Sequence, residues 1–259
     1  NSAVDGFNAL DLRSCVQMHV TQSELTVDNK HSFRNLASLL TLYLSYNSIT
    51  TIEEEAFAGL EKLKNLFLDH NKIRFLDFHL FSGFYLLKTL RLANNHIEKL
   101  NINNSEINVL DLDLSVNRLT SIVDIQSQSL KKLKVLDIDL NNLTKFHLKR
   151  IIKDGSNQLF KFDLDELYID SNSLLISDDW LSLEGFQQLK MLDLSANQIS
   201  KDESTNSYQI QLADLQEVNE LHLCDLEMTS FDRLSIASYL SDQLKIEKMF
   251  LKNNQIKSL

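Results

Sequence analysis

The sequence predicts an α/β solenoid, in which short parallel strands line up in one sheet and the segments between them return along the outer side. Two observations support this fold class. An apolar pattern recurs along the whole chain, and an asparagine recurs at a fixed place within that pattern. A single copy cannot bury its own apolar face, so the copies must stack on one another.

The apolar pattern has the form Leu-x-x-Leu-x-Leu-x-x-Asn-x-Leu or Ile, and its first complete copy spans residues 39–49. Eight further copies cover residues 63–73, 87–97, 109–119, 133–143, 164–174, 189–199, 218–228 and 246–256. A degenerate first copy runs from Phe7 to Cys15. In these ten copies all twenty Leu-x-Leu positions are apolar, in a chain that is only 43% hydrophobic. The pattern therefore predicts ten strands with a buried side.

The recurring asparagine, here called the ladder position, can bind the turn backbone on both sides because its amide carries donors and an acceptor. Eight of the ten copies have it: Asn47, Asn71, Asn95, Asn117, Asn141, Asn172, Asn197 and Asn254. The exceptions are Cys15 and Leu226. Cysteine is an accepted ladder residue, and Cys15 is expected to be buried. At Leu226 the bridge is missing, so we predict a distorted or rerouted turn there.

The chain is organised as one elongated domain with a cap. Residues 1–31 do not fit a full repeat and are interpreted as an N-terminal cap with a degenerate first repeat. Within it, residues 7–12 predict one strand and residues 16–20 a second, hairpin-like strand. Residues 32–259 hold about nine repeats, and the chain stops within one of them. We therefore expect the native protein to continue beyond Leu259.

The returning segments differ along the chain. Residues 146–154 and 231–244 have apolar residues at helical spacing, which predicts helical segments on the convex side. Residues 201–208 are polar and are predicted to form a surface excursion.

Composition excludes several function classes. The net charge of −10 and the pI near 5.2 argue against nucleic acid and anionic membranes as partners. No apolar run approaches the roughly 18 residues of a spanning helix. The seven histidines are scattered, and no motif predicts catalysis, a metal or a cofactor. We therefore predict a protein that is not an enzyme.

Function is then expected on the open face, the side of the sheet where residues between the buried leucines point outward. Its predicted protein-binding residues are Tyr43, Tyr46, Phe67, Arg91, Asp113, Asp137, Tyr168 and Asp193. Three of these form an aromatic group near the N-terminal end: Tyr43, Tyr46 and Phe67. An acidic band follows: Asp111, Asp113, Asp137, Asp139, Glu166, Asp170 and Asp193. The band has three interpretations, which are solubility, docking of a basic partner and calcium binding.

The pattern is identified as the leucine-rich repeat, which implies a horseshoe with a concave parallel sheet and irregular or helical convex segments. Ala-Phe-Ala-Gly-Leu at 56–60 and Leu-Phe-Ser-Gly-Phe at 80–84 resemble the typical extracellular animal subclass. The opening of the chain and its irregular middle repeats resemble the mosquito leucine-rich immune proteins. That resemblance implies a secreted insect protein of innate immunity or complement-like control. Its implied partners are a complement-like thioester protein and a second leucine-rich chain.

Two other function classes stay open. One is the ectodomain of a membrane-tethered receptor or adhesion protein, and the other is an inhibitor that encloses a basic enzyme. Sequons at Asn103 and Asn142 agree with an extracellular location and predict glycosylation. Cys15 and Cys224 lie too many repeats apart to bond to each other. Cys224 is therefore expected to be a free thiol, or to form a disulfide with another chain or with the region expected beyond Leu259.

Overall fold

The computed structural model describes residues 13–23, 33, 35–53, 55–102, 107–126, 130–149, 163–176, 181–183, 186–199, 201–202, 207–212, 215–230, 234–237 and 244–257. The chain divides into two compact units, unit 1 (Asn1–Arg118) and unit 2 (Leu119–Leu259). Each unit is a parallel β-solenoid built from the predicted repeats. One helical segment lies wholly within the described residues, the 3-10 helix Phe78–Phe81.

The described strands of unit 1 are β1 (Gln17–His19), β2 (Thr41–Tyr43), β3 (Asn65–Phe67), β4 (Phe75–Asp77), β5 (Thr89–Arg91), β6 (Lys99–Asn101) and β7 (Asp111–Asp113). Strands β1, β2, β3, β5 and β7 pair in that order as a parallel main sheet. Strands β4 and β6 pair in a second parallel sheet. The middle residue of a main strand faces the core, and Leu42, Leu66 and Leu90 are each 0% exposed. The leucine pattern thus sets which side of every strand is buried.

The start of unit 1 corrects one prediction. The segment at residues 16–20 is not a hairpin strand, because Gln17–His19 joins the main sheet in parallel and pairs Met18 with Leu42. This register gives Cys15 the repeat position that Leu39 has in the next copy, so Cys15 is not at the ladder position. Cys15 is half-buried, and its thiol donates to the Gln17 carbonyl at 3.3 Å, so the expected buried ladder thiol is wrong. The strand predicted at residues 7–12 lies outside the described residues.

The described strands of unit 2 are β8 (Ser121–Gln126), β9 (Val135–Asp137), β10 (Lys145–Lys149), β11 (Glu166–Tyr168), β12 (Leu175–Ile176), β13 (Leu181–Ser182), β14 (Gln188–Asp193), β15 (Gln198–Ile199), β16 (Lys201–Asp202), β17 (Ser207–Gln211), β18 (Glu217–His222), β19 (Leu234–Ala237) and β20 (Lys245–Phe250). Strands β9, β11, β14, β18 and β20 form its parallel main sheet. The polar excursion becomes a short antiparallel pair, β16 with β17. The remaining strands pair in parallel on the returning side.

The predicted helical convex segments are wrong where the structure describes them. Lys145–Lys149 and Leu234–Ala237 are strands, each paired in parallel with a segment of a neighbouring repeat. Phe146 is 0% exposed and lies beside Ile122 on one side and Leu181 on the other. Short apolar runs fit both helix and strand spacing. Here the neighbouring repeat supplies backbone partners, and the extended form is the result.

The asparagine ladder is present as predicted. In unit 1 the Asn71 amide donates to the carbonyls of Leu44 at 3.0 Å and Leu68 at 2.9 Å, and its oxygen accepts from the Ile49 amide at 3.0 Å. Asn47, Asn95 and Asn117 repeat the arrangement in unit 1. Asn172, Asn197 and Asn254 do so in unit 2. The backbone groups of each turn are thus satisfied by side chains from two repeats.

The distortion predicted at Leu226 is confirmed. The residue before each described ladder position has a positive φ, for example 59° at Tyr46 and 53° at Val116. At Leu226 the residues on both sides have a positive φ, which is 54° at Asp225 and 57° at Glu227. The Asn254 oxygen then accepts from the backbone amides of both Leu226 and Met228, at 3.1 Å each. Leu226 itself turns inward and is 4% exposed.

Candidate functional site

An aromatic stack crosses the open face of unit 1. Sheet register places His19, Tyr43 and Phe67 at the same outward position of three adjacent strands. The rings of His19 and Tyr43 are 4.1 Å apart and 12° from parallel, and those of Tyr43 and Phe67 are 4.6 Å apart and 6° from parallel. Neighbouring strands lie about 4.8 Å apart, which is close to the separation that stacked rings prefer. The three residues, called the aromatic stack below, form a preordered apolar strip.

Arg91 continues the same row on the next strand and meets two acids. Its guanidinium contacts Asp111 at 2.5 Å and Asp113 at 3.4 Å. Asp113 also accepts hydrogen bonds from the backbone amide and hydroxyl of Ser115, at 2.9 and 2.7 Å. Asp111 and Asp113 therefore act as partners of Arg91, which offsets part of the negative charge of the acidic band within unit 1.

A second aromatic pair lies on the turns that follow the strands. Tyr46 stacks on His70 with ring centroids 4.1 Å apart, and 54% of Tyr46 is exposed. Tyr46 therefore belongs to a different stack from Tyr43 and Phe67, with which its place in the repeat pattern had grouped it. The positive φ of Tyr46 and His70 brings them together, because it turns both side chains out of the strand row.

Burial also affects an acid beside the aromatic stack. Asp69 accepts from the Ala93 amide at 3.0 Å and from the Ser45 hydroxyl at 3.3 Å. Its burial, and then the charge of Asp113, raise the pKa of Asp69, while those hydrogen bonds oppose the change. The carboxyl group is therefore a structural bridge between repeats of unit 1.

The open face of unit 2 is acidic. Its central outward row, set by strand register, contains Asp137, Tyr168, Asp193, His222 and Phe250. The Tyr168 hydroxyl donates to Glu166 at 2.9 Å. Burial, and then this bond to Glu166, raise the pKa of Tyr168 to about 12. The phenol therefore stays protonated and serves as a hydrogen-bond donor.

His222 lies at the end of the acidic stretch in unit 2. Its Nδ1 is 3.5 Å from Asp193, and its ring centroid is 4.2 Å from that of Phe250. Nearby, burial and the charge of Asp193 raise the pKa of Asp170. Among the described residues, no group of three or more His, Cys, Asp or Glu side chains is placed to hold a metal ion. The calcium interpretation of the band therefore has no supporting geometry there.

The remaining candidate residues are placed as follows. Both cysteines are free thiols, which confirms that they do not bond to each other. Cys224 is half-buried, and its backbone amide donates to the Ser195 hydroxyl at 3.0 Å. Asn142 is exposed in a turn of unit 2, whereas Asn103 lies outside the described residues. Glycosylation and an intermolecular disulfide stay predictions.

The sequence pattern does not predict the ring stacking of His19 on Tyr43 or of His70 on Tyr46. His19 was not assigned to the open face because the first strand was placed at residues 7–12. The available signal was the alternation of Val16, Met18 and Val20, whose middle residue takes the place of a buried leucine. The pattern gives no signal for the contact of His70 with Tyr46, because that contact depends on the turn.

Comparison with known proteins agrees with the repeat class. A leucine rich repeat family model matches residues 16–73. No curated protein sequence gives a significant match to the chain. Residues 16–73 therefore carry leucine-rich repeats, and the described residues form a parallel β-solenoid similar to the fold of leucine-rich-repeat proteins.

Solved structures show the same fold at low sequence identity. The functional domain of InlJ from Listeria monocytogenes is 21% identical over 96% of this chain and 56% of that one, with a TM-score of 0.51. A chain from the octameric complex of latrophilin 3, Unc5D and FLRT2 is 20% identical over 89% of this chain and 86% of its own, with a TM-score of 0.57. The APL1 leucine-rich repeat domain is 19% identical over 91% and 66%, with a TM-score of 0.52.

The chain thus spans a little over half the length of the InlJ domain. No helix within the described ranges has the length and apolar character needed to cross a membrane.

Proposed function

We propose that this chain is a protein-binding scaffold and that the open face of unit 1 makes the main contact. The observation that carries this function is the aromatic stack, in which His19, Tyr43 and Phe67 lie at 4.1 and 4.6 Å spacing on a rigid sheet. Aromatic residues are enriched among the side chains that dominate binding energy. Stacking on neighbours holds these rings in place before a partner arrives, so little side-chain entropy is lost on binding.

The charged end of the same row supports a contact with a defined orientation. Arg91 is held by Asp111 and Asp113, so its guanidinium has a fixed position beside Phe67. An apolar strip that ends in an oriented, charged group fits a partner surface with an apolar centre and a polar edge. The acids of unit 2 lack a comparable arginine on their central row and suit long-range attraction of a basic surface.

We further propose that the protein is extracellular and acts in innate immunity or complement-like control in an insect. Support comes from the resemblance at residues 56–60 and 80–84, the two sequons and the similarity in fold to APL1. The partners in this proposal are a thioester-containing complement-like protein and a second leucine-rich chain, with Cys224 as the site of a covalent link. The alternative is the ectodomain of a receptor or adhesion protein, which the similarity in fold to the FLRT2-containing complex favours.

The experiment is capture of partners from insect haemolymph with the immobilised protein, followed by affinity measurement on each captured protein. Tyr43→Ala with Phe67→Ala is expected to weaken binding at every salt concentration by a factor of about 30 or more, equivalent to about 2 kcal/mol. Asp137→Asn with Asp193→Asn is expected to slow association mainly at low salt.

A matched control separates the open face from aromatic surface in general. Phe75 and Tyr85 are 55% and 74% exposed elsewhere in unit 1. Phe75→Ala with Tyr85→Ala should leave affinity within a factor of about two, as for residues outside a binding centre. If this control weakens binding while the Tyr43 and Phe67 variant does not, the contact lies on the convex side and the proposed surface is wrong.

A further inference from the structure

Three basic residues occupy the same place in consecutive repeats of unit 1. Lys72, His96 and Arg118 each directly follow a ladder asparagine. Their backbone amides donate to the carbonyls of the preceding repeats, Ile49, Ile73 and Ile97, at 2.8 to 2.9 Å. These bonds hold the three residues in register, so that their side chains form a row with a spacing of about 4.8 Å. This set is called the cationic row below.

The cationic row borders a shallow groove with a volume of about 520 Å³. Besides the row and the ladder asparagines, the lining includes His70, Asn94 and Val116, the positive-φ residues of the same three repeats. The ladder amides below the groove are engaged by backbone carbonyls. The row therefore supplies the charge that a ligand in the groove would meet.

The charges of the row have few partners in the protein. Among the described residues, the guanidinium groups of Arg118 and nearby Arg74 take part in no ion pair. The ammonium group of Lys72 contacts the Ser48 hydroxyl at 3.4 Å. These side chains are exposed and can bind an external anion.

The pKa of His96 reflects the same excess of positive charge. Burial, and then Arg118, Arg74 and Lys72, lower the pKa of His96, while Glu98 raises it. His70, stacked on Tyr46, is the other histidine of the groove. A positive field in this place contrasts with the net charge of −10 for the chain. An anion in the groove would relieve the repulsion among these cations.

We propose that the groove of unit 1 binds a linear sulfated polysaccharide along the cationic row. The cations are arranged in a line across successive repeats, which suits several anionic groups on one chain better than a single small anion. The planar fork of Arg118 fits the oxygens of a tetrahedral anion, and Lys72 adds a mobile point charge. This site is separate from the proposed protein-binding surface, which lies on the open sheet face.

Nucleic acid is the less suitable polyanion. Single-stranded nucleic acid gains much of its affinity by stacking bases on exposed aromatic faces. The rings nearest the groove, Tyr46 and His70, stack on each other at 4.1 Å, so one face of each ring is covered. A sulfated polysaccharide needs no such platform.

The test measures the affinity of the whole chain for a heparin octasaccharide at about 0.1 M salt, where a charge interaction is still visible. Lys72→Gln with Arg118→Gln is expected to weaken binding by roughly ten- to thirtyfold, since each cation near an anionic surface contributes a factor of about five. Lys64→Gln with Lys88→Gln removes the same charge from exposed positions that directly precede β3 and β5. Its affinity should stay within a factor of about two, because it leaves the row intact.

A charge-preserving variant and two competing polymers complete the test. Lys72→Arg keeps both charges and the fork of Arg118, so it should retain binding, and circular dichroism of the glutamine variant separates loss of binding from misfolding. No heparin binding, or equal loss in both glutamine variants, would overturn the proposal. Binding of desulfated heparin with equal affinity would overturn sulfate recognition. Displacement of heparin by single-stranded RNA of equal charge at the same or lower concentration would overturn the choice of a polysaccharide.

A pH series tests the part of His96. Heparin should bind more tightly as the pH falls from about 7.5 to about 5.5, because bound anion favours the protonated imidazole. His96→Gln should flatten most of this dependence. Affinity that does not change with pH would overturn the assignment of His96 to the row.

Discussion

The open faces of the two units differ in the residues that their central rows carry. In unit 1 the central row passes from three stacked rings to Arg91, which is paired with both neighbouring acids. In unit 2 the row contains Asp137, Tyr168, Asp193 and His222 without an arginine, and the pKa values of Tyr168 and Asp170 are raised. Outward positions can therefore differ widely while the inward leucines keep the strands in place.

The ladders differ as well. In unit 1 the four asparagines from Asn47 to Asn117 are each bonded to two repeats. In unit 2 the ladder is interrupted at Leu226, where the turn has two positive-φ residues and the Asn254 oxygen accepts from the amides of both Leu226 and Met228. The turn keeps the ladder bonds that come from the next repeat, because that repeat still carries its asparagine.

The largest effect is expected from removing a ladder residue in unit 1. Asn71→Ala leaves buried backbone groups of Leu44, Leu68 and Ile49 without their partner. The free energy of unfolding should fall by about 3 kcal/mol. Asn65→Ala is the control, since the half-buried Asn65 amide donates to the Thr41 hydroxyl at 3.1 Å and leaves no ladder group unsatisfied. Urea unfolding followed by circular dichroism measures both, and equal losses would contradict the special role of the ladder.

Restoring the ladder residue in unit 2 should destabilise the protein instead of repairing it. Leu226 is 4% exposed, and the turn around it has already been rebuilt. Leu226→Asn therefore loses apolar burial and should lower the free energy of unfolding by about 2 kcal/mol. Leu226→Met keeps the apolar volume and should change it by less than about 1.5 kcal/mol. A gain for Leu226→Asn in urea unfolding would mean that the regular turn re-forms.

Substitutions at the positive-φ residues before the ladder asparagines should have a smaller effect on stability, and the effect should be similar in both units. Val116 in unit 1 has φ 53° and Leu140 in unit 2 has φ 48°, values that asparagine tolerates better than a β-branched or bulky side chain. Val116→Asn and Leu140→Asn should each stabilise the protein by about 1 kcal/mol. Asn94→Val places valine at φ 55° and should do the opposite. Thermal unfolding is the measurement, and loss of stability in both asparagine variants would contradict this explanation.

The smallest effect is a pH-dependent one in unit 2. Because burial and Asp193 raise the pKa of Asp170, its contribution to stability is fully present below the unfolded pKa and is lost as the pH rises through the folded pKa. Asp170→Asn should therefore stabilise the protein at neutral pH by roughly 0.5 kcal/mol after allowance for solvent screening. The difference, measured by urea unfolding across a pH series, should vanish below about pH 4. Asp69→Asn in unit 1 should raise the free energy of unfolding by less than Asp170→Asn, because the Ala93 backbone amide already stabilises the Asp69 carboxylate.

Much of this molecule follows from its pattern alone. The buried leucines, the outward order Tyr43–Phe67–Arg91–Asp113 and the bonds of the ladder asparagines agree with what the repeats predict. The distorted turn at Leu226 was also predictable, because a leucine cannot supply the missing hydrogen bonds. These features depend on where a residue lies within its repeat, and successive repeats carry the same residue types at the same positions.

Tertiary structure decided the features that depend on the neighbouring repeat. The strand at Gln17–His19 takes its register from Thr41–Tyr43, and this pairing alone brings His19 onto Tyr43. The segment Lys145–Lys149 is extended because adjacent strands offer backbone partners, although its apolar spacing also fits a helix. The ion pair of Arg91 with Asp111 joins residues 20 positions apart. Such contacts depend on how far each repeat advances before the chain returns, a quantity that the apolar pattern does not encode.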